Sequence, residues 1–140
     1  MDGYRISTDS SELDLDVVFE FISNSYWARG IPRERVEKSI QHSLCFGVYD
    51  EHNNQVGFAR LITDLATFAY LSDVFILQKH RGKGLSKYLV KTILAHPDMQ
   101  GLRRLVLATH DAHGLYSQFG FEPLTHTERF MQIWTPNPYS

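Results

Sequence analysis

Polar and hydrophobic residues follow a helical period in the first third of the chain, after one short strand-like run at residues 4–7. A first helix is expected next, with N-cap and capping-box chemistry supplied by Ser10, Ser11 and Asp14. Within this helix, apolar residues recur every 3.6 positions at Leu15, Val18, Phe19 and Ile22. Gly30 ends the pattern, and Pro32 suits the first turn of a second helix. The sequence therefore predicts a strand followed by two helices.

Three strand-like runs follow, and a third helix comes after them. Residues 44–49 and 55–62 flank a turn-forming cluster at 50–54, which predicts a hairpin. Residues 68–77 are long and apolar, as in a central strand covered on both faces. The next helix opens after a glycine-rich loop and carries apolar residues at Leu85, Leu89, Ile93 and Leu94.

The last part of the chain predicts more strands and one short helix. Residues 105–108 are typical of a buried strand, 112–118 of a short helix, and 122–124 and 130–134 of two closing strands. Residues 136–140 are expected to form a flexible tail. The order of elements predicts an α/β (α+β) fold with a mixed central sheet and helices on both faces.

Size and composition restrict what this chain can be. Its 140 residues, 16.2 kDa, predict a single domain over residues 1–140. The net charge of −2 gives no electrostatic reason to expect a nucleic acid or an anionic membrane as a partner. No apolar run approaches the ~20 residues of a membrane span. Residues 1–5 lack a signal-peptide pattern and Cys45 is the single cysteine, so we expect a cytoplasmic protein.

One short segment carries the sharpest chemical signal. It lies directly after the apolar run 68–77, at the start of a helix, and reads Arg81, Gly82, Lys83, Gly84, Leu85 and Ser86. Two glycines let the backbone approach a ligand, and the free amides and dipole of the helix favour a phosphate or pyrophosphate. The alternative is an ordinary tight turn with solvated basic side chains.

Two familiar phosphate-binding motifs do not fit this segment. A P-loop has four residues between its first glycine and the Gly-Lys-Ser/Thr triplet, and that spacing is absent. A dinucleotide fingerprint needs a third small residue where this chain has Lys87, and an acidic residue at the end of the next strand, which 105–108 lacks.

Two motifs resemble those of the GNAT superfamily of acetyl-CoA-dependent N-acetyltransferases. Residues 81–86 match the pattern Arg/Gln-x-x-Gly-x-Gly/Ala, with Ser86 departing from it at the last position. Residues 112–121 are similar to the superfamily's Ala-x-x-Leu-Tyr-x-x-x-Gly-Phe segment. The resemblance implies the acyl-CoA N-acyltransferase fold, with acetyl-CoA as cosubstrate and no metal.

The same resemblance implies roles for two parts of the backbone. The amides of residues 81–86 would hold the CoA pyrophosphate. The strand edge at Val74, Phe75 and Ile76 would hydrogen-bond the pantetheine arm as an added strand does. An amide near Phe75 or Ile76 would polarise the thioester carbonyl.

Catalytic residues are assigned with their alternatives. Tyr116 matches the superfamily's general acid, which protonates the departing thiolate; the alternative is a tyrosine that only packs in the core. Asp73 is the candidate general base, with Asp64 and His110 as alternatives, although water alone could take the proton. Cys45 lies in an apolar strand, which favours a core residue over a nucleophile.

The acceptor site is expected at Tyr26, Trp27 and Arg29, in the connection between the first two helices. The alternative is that Trp27 only packs the helix junction. Arg29, if exposed in the cleft, would favour an acceptor with a carboxylate or phosphate. His110 and His113 invite a metal interpretation, but no third or fourth ligand is evident. We expect no metal, with Asp111 capping the following helix.

The sequence thus predicts an N-acetyltransferase that moves acetyl from acetyl-CoA to a primary amine by direct attack, a small molecule being favoured over a protein. A CoA-binding sensor or interaction module without efficient turnover is the alternative from another class. Acetylation of a protein lysine or N-terminus differs only in acceptor. The aromatic run at residues 130–134 could support a homodimer.

Overall fold

The computed structural model describes residues 1–139, whose strands form one five-stranded sheet. The strands are β1 (Tyr4–Ser7), β2 (Leu44–Asp50), β3 (Gln55–Thr63), β4 (Phe68–Ile76) and β5 (Arg104–Leu107). They lie in the order β1-β2-β3-β4-β5, and each neighbouring pair is antiparallel except β4 and β5, which run parallel. The mixed sheet predicted from the sequence is confirmed.

Helices cover both faces of this sheet. They are α1 (Leu15–Ser23), α2 (Arg33–Gln41), α3 (Leu85–Ala95) and α4 (His113–Ser117). The carboxylate of Asp14 caps α1 by accepting hydrogen bonds from the amides of Asp16 and Val17. Short 3₁₀ turns lie at Ser10–Glu12, Gln78–His80, Pro97–Met99 and Thr127–Arg129.

Two apolar clusters lie on opposite faces of the sheet. On one face, α1 and α2 pack on buried strand residues: Val18, Ile22, Val36 and Ile40 meet Cys45, Phe58 and Phe75. On the other face, α3 buries Leu85, Leu89, Val90 and Ile93 against Phe46, Leu61 and Leu71. The 3.6-residue period read in the sequence therefore identifies the buried sides of these helices.

The prediction of closing strands at residues 122–124 and 130–134 is wrong. The structure forms no strand there, and within residues 1–139 the outer edge of β5 has no partner. Met131 and Ile133 are fully exposed, although the Phe130 ring lies 4.9 Å from the guanidinium of Arg104. An alternating pattern gives a segment β-propensity, but a strand also needs a neighbouring backbone to pair with.

β4 and β5 separate at the end where their chains leave the sheet. Their pairing ends at Leu71 and Leu107, whereas β4 continues to Ile76 with no partner on that side among the described residues. Opposite β3, Asp73 has a φ of 54° at a β-bulge, because Phe58 pairs with Phe75 while Arg60 pairs with Ser72. The result is a cleft along the free edge of β4.

The structure also bears on two negative expectations. In the described part of the chain, no helix combines the length and the apolar character needed to cross a membrane. Over residues 1–139, no group of three histidine, cysteine or acidic side chains converges on a point that could hold a metal ion.

Candidate active site

The loop formed by residues 81–86, here called the phosphate loop, leads into the first turn of α3. Gly82 and Gly84 have φ values of 79° and 84°, in the left-handed region that favours glycine. Gly84 is the N-cap of α3 and no side chain caps the helix. The first amides of this eleven-residue helix are therefore free to bind an anion.

Space beside the loop is open. A Cβ added at Gly82 would meet nothing within 4 Å, and one at Gly84 only the end of Met1 at 3.9 Å. The glycines are thus required by the backbone conformation, and the surface above them is left clear for a ligand. A phosphate group could lie close to the backbone there.

Basic residues of the phosphate loop are held in place by other parts of the fold. The Nε of Arg81 donates to the carbonyl of Ile76 at 2.9 Å, which fastens the loop to the end of β4. The ammonium of Lys83 donates to the hydroxyl of Tyr4 at 3.1 Å, and that hydroxyl lies 2.9 Å from Nδ1 of His80. Sequence reasoning missed Tyr4, which lies far from the loop along the chain, and His80, which directly precedes the loop but belongs to neither motif.

The free edge of β4 presents backbone and not side chains. Val74 and Ile76 pack with the cluster beneath α3, and Phe75 stacks on Phe21 of α1 with ring centroids 4.1 Å apart. Because these side chains point into the two cores, the peptide groups of residues 72–76 are what the cleft offers to a ligand. This is the surface expected of an edge that binds an extended arm.

Tyr116 has a buried ring and an accessible hydroxyl. The residue is 8% exposed, and its ring lies 5.6 Å from that of Phe121. The hydroxyl makes no hydrogen bond within residues 1–139 and is not sealed from solvent. Burial, and then the neighbouring Tyr26 phenol, raises the pKa of Tyr116 above the ordinary phenol value. The phenol is therefore protonated at neutral pH and free to donate.

Asp73 is held on both carboxylate oxygens. Nε1 of Trp27 donates to Oδ1 at 2.7 Å, and Nε of Arg60 donates to Oδ2 at 2.8 Å. The Arg60–Asp73 ion pair is largely buried, with side-chain exposures of 15% and 8%. Arg60 also donates to the hydroxyl of Ser43. The carboxylate thus positions the indole of Trp27 at the edge of the cleft.

The connection after α1 crosses the mouth of this cleft. The rings of Tyr26 and Trp27 lie 5.1 Å apart at 84°, and the ring of Tyr26 lies 5.4 Å from that of His110, which follows β5. Trp27 is 41% exposed, so it is not only a packing residue of the helix junction. The structure therefore brings Trp27 next to Asp73 in β4 and Tyr26 next to His110 after β5.

Three alternatives from the sequence lose support. Asp64 lies in the β3–β4 turn, where a hydrogen bond from the Thr67 hydroxyl and several backbone amides hold its pKa below the usual value. Burial raises the pKa of the Cys45 thiol to about 12, which makes it a poor nucleophile. The expected N-cap at Asp111 is wrong: Ala112 is the N-cap of α4, and its amide donates to Thr109.

Two cavities meet at the Tyr26–Trp27 pair. One, of about 560 Å³, is lined by one side of α1, by the four residues 24–27 that follow this helix and by Leu77, which follows β4. The other, of about 1090 Å³, is called the charged cavity here; Arg29, Arg35, Lys38, Arg60 and Asp73 are among its lining residues. Residues 134–139, part of which was expected to be a flexible tail, form another wall of it, and Tyr139 lies against Gly30. Ser140 lies outside the described residues.

Arg60, Arg35 and Lys38 are site residues that sequence reasoning did not single out. Arg60 had a readable signal, since it is the one charge within the apolar run 55–62. Arg35 and Lys38 had none, because basic residues on the polar side of a short helix are ordinary surface chemistry.

Comparisons with known proteins agree with this geometry. The sequence profile of the Acetyltransferase (GNAT) domain matches residues 41–123. A Gibberella zeae protein named as an acetyltransferase is 31% identical, over 82% of this chain and 76% of its own length.

Solved structures give the same result. A Xanthomonas campestris protein, described as a GNAT-family acetyltransferase, superposes with a TM-score of 0.96 at 49% identity, covering 100% of this chain and 99% of its own. A GNAT-family acetyltransferase from Elizabethkingia anophelis with acetyl-CoA bound shares the fold, with a TM-score of 0.65 at 15% identity over 97% of this chain and 91% of its own. With more than half of its length matched by the family profile, this chain belongs to the GNAT family of N-acetyltransferases.

Proposed function

We propose that this chain, folded as one domain, transfers the acetyl group of acetyl-CoA to the primary amine of a small molecule by direct attack. The observation that carries the proposal is the continuity of the site. The unpaired edge of β4 runs from the bulge at Asp73 to Ile76 and leads, through Arg81, into the phosphate loop.

Residues at this edge fit an acetyl-CoA molecule. The uncapped amides at the start of α3 suit a pyrophosphate, and Lys83 lies beside them with its charge. The peptide groups of Val74, Phe75 and Ile76 suit the amides of a pantetheine arm. One of these backbone amides would donate to the thioester oxygen as negative charge develops on it.

The chemistry requires two proton movements. As the amine nitrogen attacks, a C–N bond forms to the acetyl carbon and the C–S bond breaks, so the electron pair leaves with sulfur. The hydroxyl of Tyr116 donates its proton to that sulfur. Burial raises the pKa of the phenol, so the proton is present at neutral pH, and no hydrogen bond within residues 1–139 directs the hydroxyl elsewhere.

The proton lost by the amine leaves on the other side of the cleft. Asp73 remains the proposed acceptor for it, directly or through water. Since each of its oxygens already accepts one hydrogen bond, it would use a remaining lone pair. His110 is the alternative, since its ring lies beside Tyr26 at the mouth of the cleft.

CoA release in the presence of a panel of amines tests the proposal, with Tyr116→Phe as the decisive variant. The variant keeps the ring and its packing and removes only the hydroxyl. We expect kcat to fall about 10²–10⁴-fold, with acetyl-CoA affinity nearly unchanged. The decline of wild-type activity at high pH, where the phenol ionises, should be lost in the variant.

Tyr88→Phe is the matched control, because Tyr88 packs against the core on α3 and has no proposed role in proton transfer. Acetyl-CoA binding with no turnover of any amine would contradict the proposal and favour a CoA-binding sensor. An unchanged kcat in Tyr116→Phe, where chemistry is rate-limiting, would leave Tyr116 a packing residue.

A further inference from the structure

We infer that the acceptor carries an anionic group, a carboxylate or a phosphate, in addition to its amine, and that this group binds in the charged cavity. The inference rests on the proposed function, since it names the class of acceptor. It depends on three basic side chains that line the charged cavity and have no partner among residues 1–139: Arg29, Arg35 and Lys38.

The side of α2 that lines the charged cavity differs from the rest of the helix, because its basic side chains form no ion pair with a described residue. Arg33, on the same helix, forms ion pairs with Asp16 at 2.6 Å and Glu37 at 3.1 Å. Arg35 and Lys38 are three residues apart, so their side chains are neighbours on one side of the helix, and neither forms such a pair with a described residue. Like charges held close together repel each other, and an anion relieves that repulsion.

The local charge is opposite in sign to that of the whole protein. The charged cavity is lined by four basic side chains and two acidic ones, Glu34 and Asp73, whereas the chain as a whole carries −2. Arg60 and Asp73 neutralise each other within it. The remaining excess is positive, so it attracts an anionic acceptor and disfavours a cationic one such as a polyamine.

The chemistry and the positions of the lining residues indicate where the two ends of the acceptor bind. Asp73 and Trp27, at the bulge of β4, line one part of the charged cavity, so the amine lies there, next to the free strand edge. The guanidinium groups of Arg29 and Arg35 offer the planar donor pairs that bind carboxylate and phosphate in bidentate fashion. The volume of about 1090 Å³ has room for a molecule of metabolite size.

Matched pairs of amines test the inference. We would compare 2-aminoethyl phosphate with ethanolamine, and 4-aminobutyrate with butylamine, which separates phosphate from carboxylate. Spermidine serves as the cationic acceptor. With CoA present, calorimetry should show the anionic member of at least one pair binding about 10- to 100-fold more tightly. Added salt should weaken that binding more than the binding of the amine that lacks the anionic group.

Variants locate the site. Arg35→Gln with Lys38→Gln should remove most of the preference for the anionic amine and leave acetyl-CoA binding unchanged. Arg33→Gln is the control, because its partners lie outside the charged cavity, and it should keep the preference.

The two proposals fail in different measurements. Equal binding of amines with and without the anionic group, or a preference that survives the double variant, would overturn the anionic acceptor, even if amines without that group were acetylated. Tight binding of an anionic amine without any acetylation would support the anionic site and contradict the proposed transfer. Stronger binding of spermidine than of either anionic amine would overturn the inference outright.

Discussion

The phosphate loop and the charged cavity lie towards opposite ends of the free edge of β4, one next to Ile76 and the other at Asp73, and they are formed in different ways. The phosphate loop is built from consecutive residues and acts through its backbone, with Gly82 and Gly84 in left-handed conformations at the start of a helix. The charged cavity is built from five separate segments, namely the end of α1 with the connection after it, α2, β3, β4 and residues 134–139, and it contains the Arg60–Asp73 ion pair. A backbone site depends on local conformation, whereas a side-chain site depends on the whole fold.

The largest expected effect on stability comes from breaking the Arg60–Asp73 ion pair in the charged cavity. Arg60→Met would leave the carboxylate of Asp73 buried with only the indole of Trp27 as a donor. We expect the free energy of unfolding to fall by about 3–5 kcal/mol, as for other broken buried pairs. Chemical denaturation measures it. Adding Asp73→Asn removes the unpaired charge, tolerates the left-handed backbone at this position and should restore part of the loss.

Arg33→Met is the control for this experiment, since its ion pairs are exposed and screened by water, so its free energy of unfolding should change far less. A loss in Arg60→Met as small as in the control would mean that the ion pair does not hold this side of the cleft together.

The next effect concerns the phosphate loop. Gly84→Asp places a negative charge where the pyrophosphate is proposed to bind, although an aspartate at the N-terminus of a helix is compatible with its dipole. We expect acetyl-CoA to lose at least about tenfold in affinity, and therefore most of the rise in Tm that it gives the parent.

Gly101→Asp is a closely matched control, because Gly101 also has a positive φ, 74°, and open space around it. It should carry a similar backbone strain and keep the Tm rise. If both variants bind acetyl-CoA like the parent, the assignment of the phosphate loop is wrong.

A smaller effect distinguishes the acceptor side of the cleft from its acetyl-CoA side. Trp27→Phe keeps a ring beside Tyr26 but removes the hydrogen bond to Asp73. We expect the KM for the acceptor to rise about three- to tenfold, with the KM for acetyl-CoA unchanged. Steady-state kinetics with each substrate varied in turn measures this. Equal weakening of both, together with a lower Tm, would instead indicate a packing role.

The smallest effect on turnover is expected at the outer surface of residues 130–134. Met131→Lys with Ile133→Lys changes two exposed apolar side chains next to the wall of the charged cavity, and should leave kcat unaffected. The homodimer stays a prediction, and sedimentation equilibrium tests it. The double variant should lower the molecular mass if this surface joins two copies, whereas Leu65→Lys, in the β3–β4 turn, should not.

Predictions from the sequence succeeded where the signal was local. The 3.6-residue period located α1, α2 and α3, because a helix that buries one face needs apolar residues at that spacing in its sequence. The glycines of residues 81–86 indicated a tight turn, and Gly82 and Gly84 have the left-handed conformations that glycine adopts without strain. That this turn binds an anion stays a prediction. At residues 130–134 the same reasoning failed, because a strand needs a partner that a sequence pattern does not provide.

The sequence by itself therefore determined the helices, the order of the first five strands and the phosphate loop, since each depends on neighbouring residues. Only the tertiary structure decided what surrounds Asp73. Trp27, Arg60 and Asp73 are separated by 13 to 46 positions in the chain and meet because β3, β4 and the connection after α1 pack side by side. The same packing brought Arg35 and Lys38 to the charged cavity, where a charge without a partner among residues 1–139 can attract an anion.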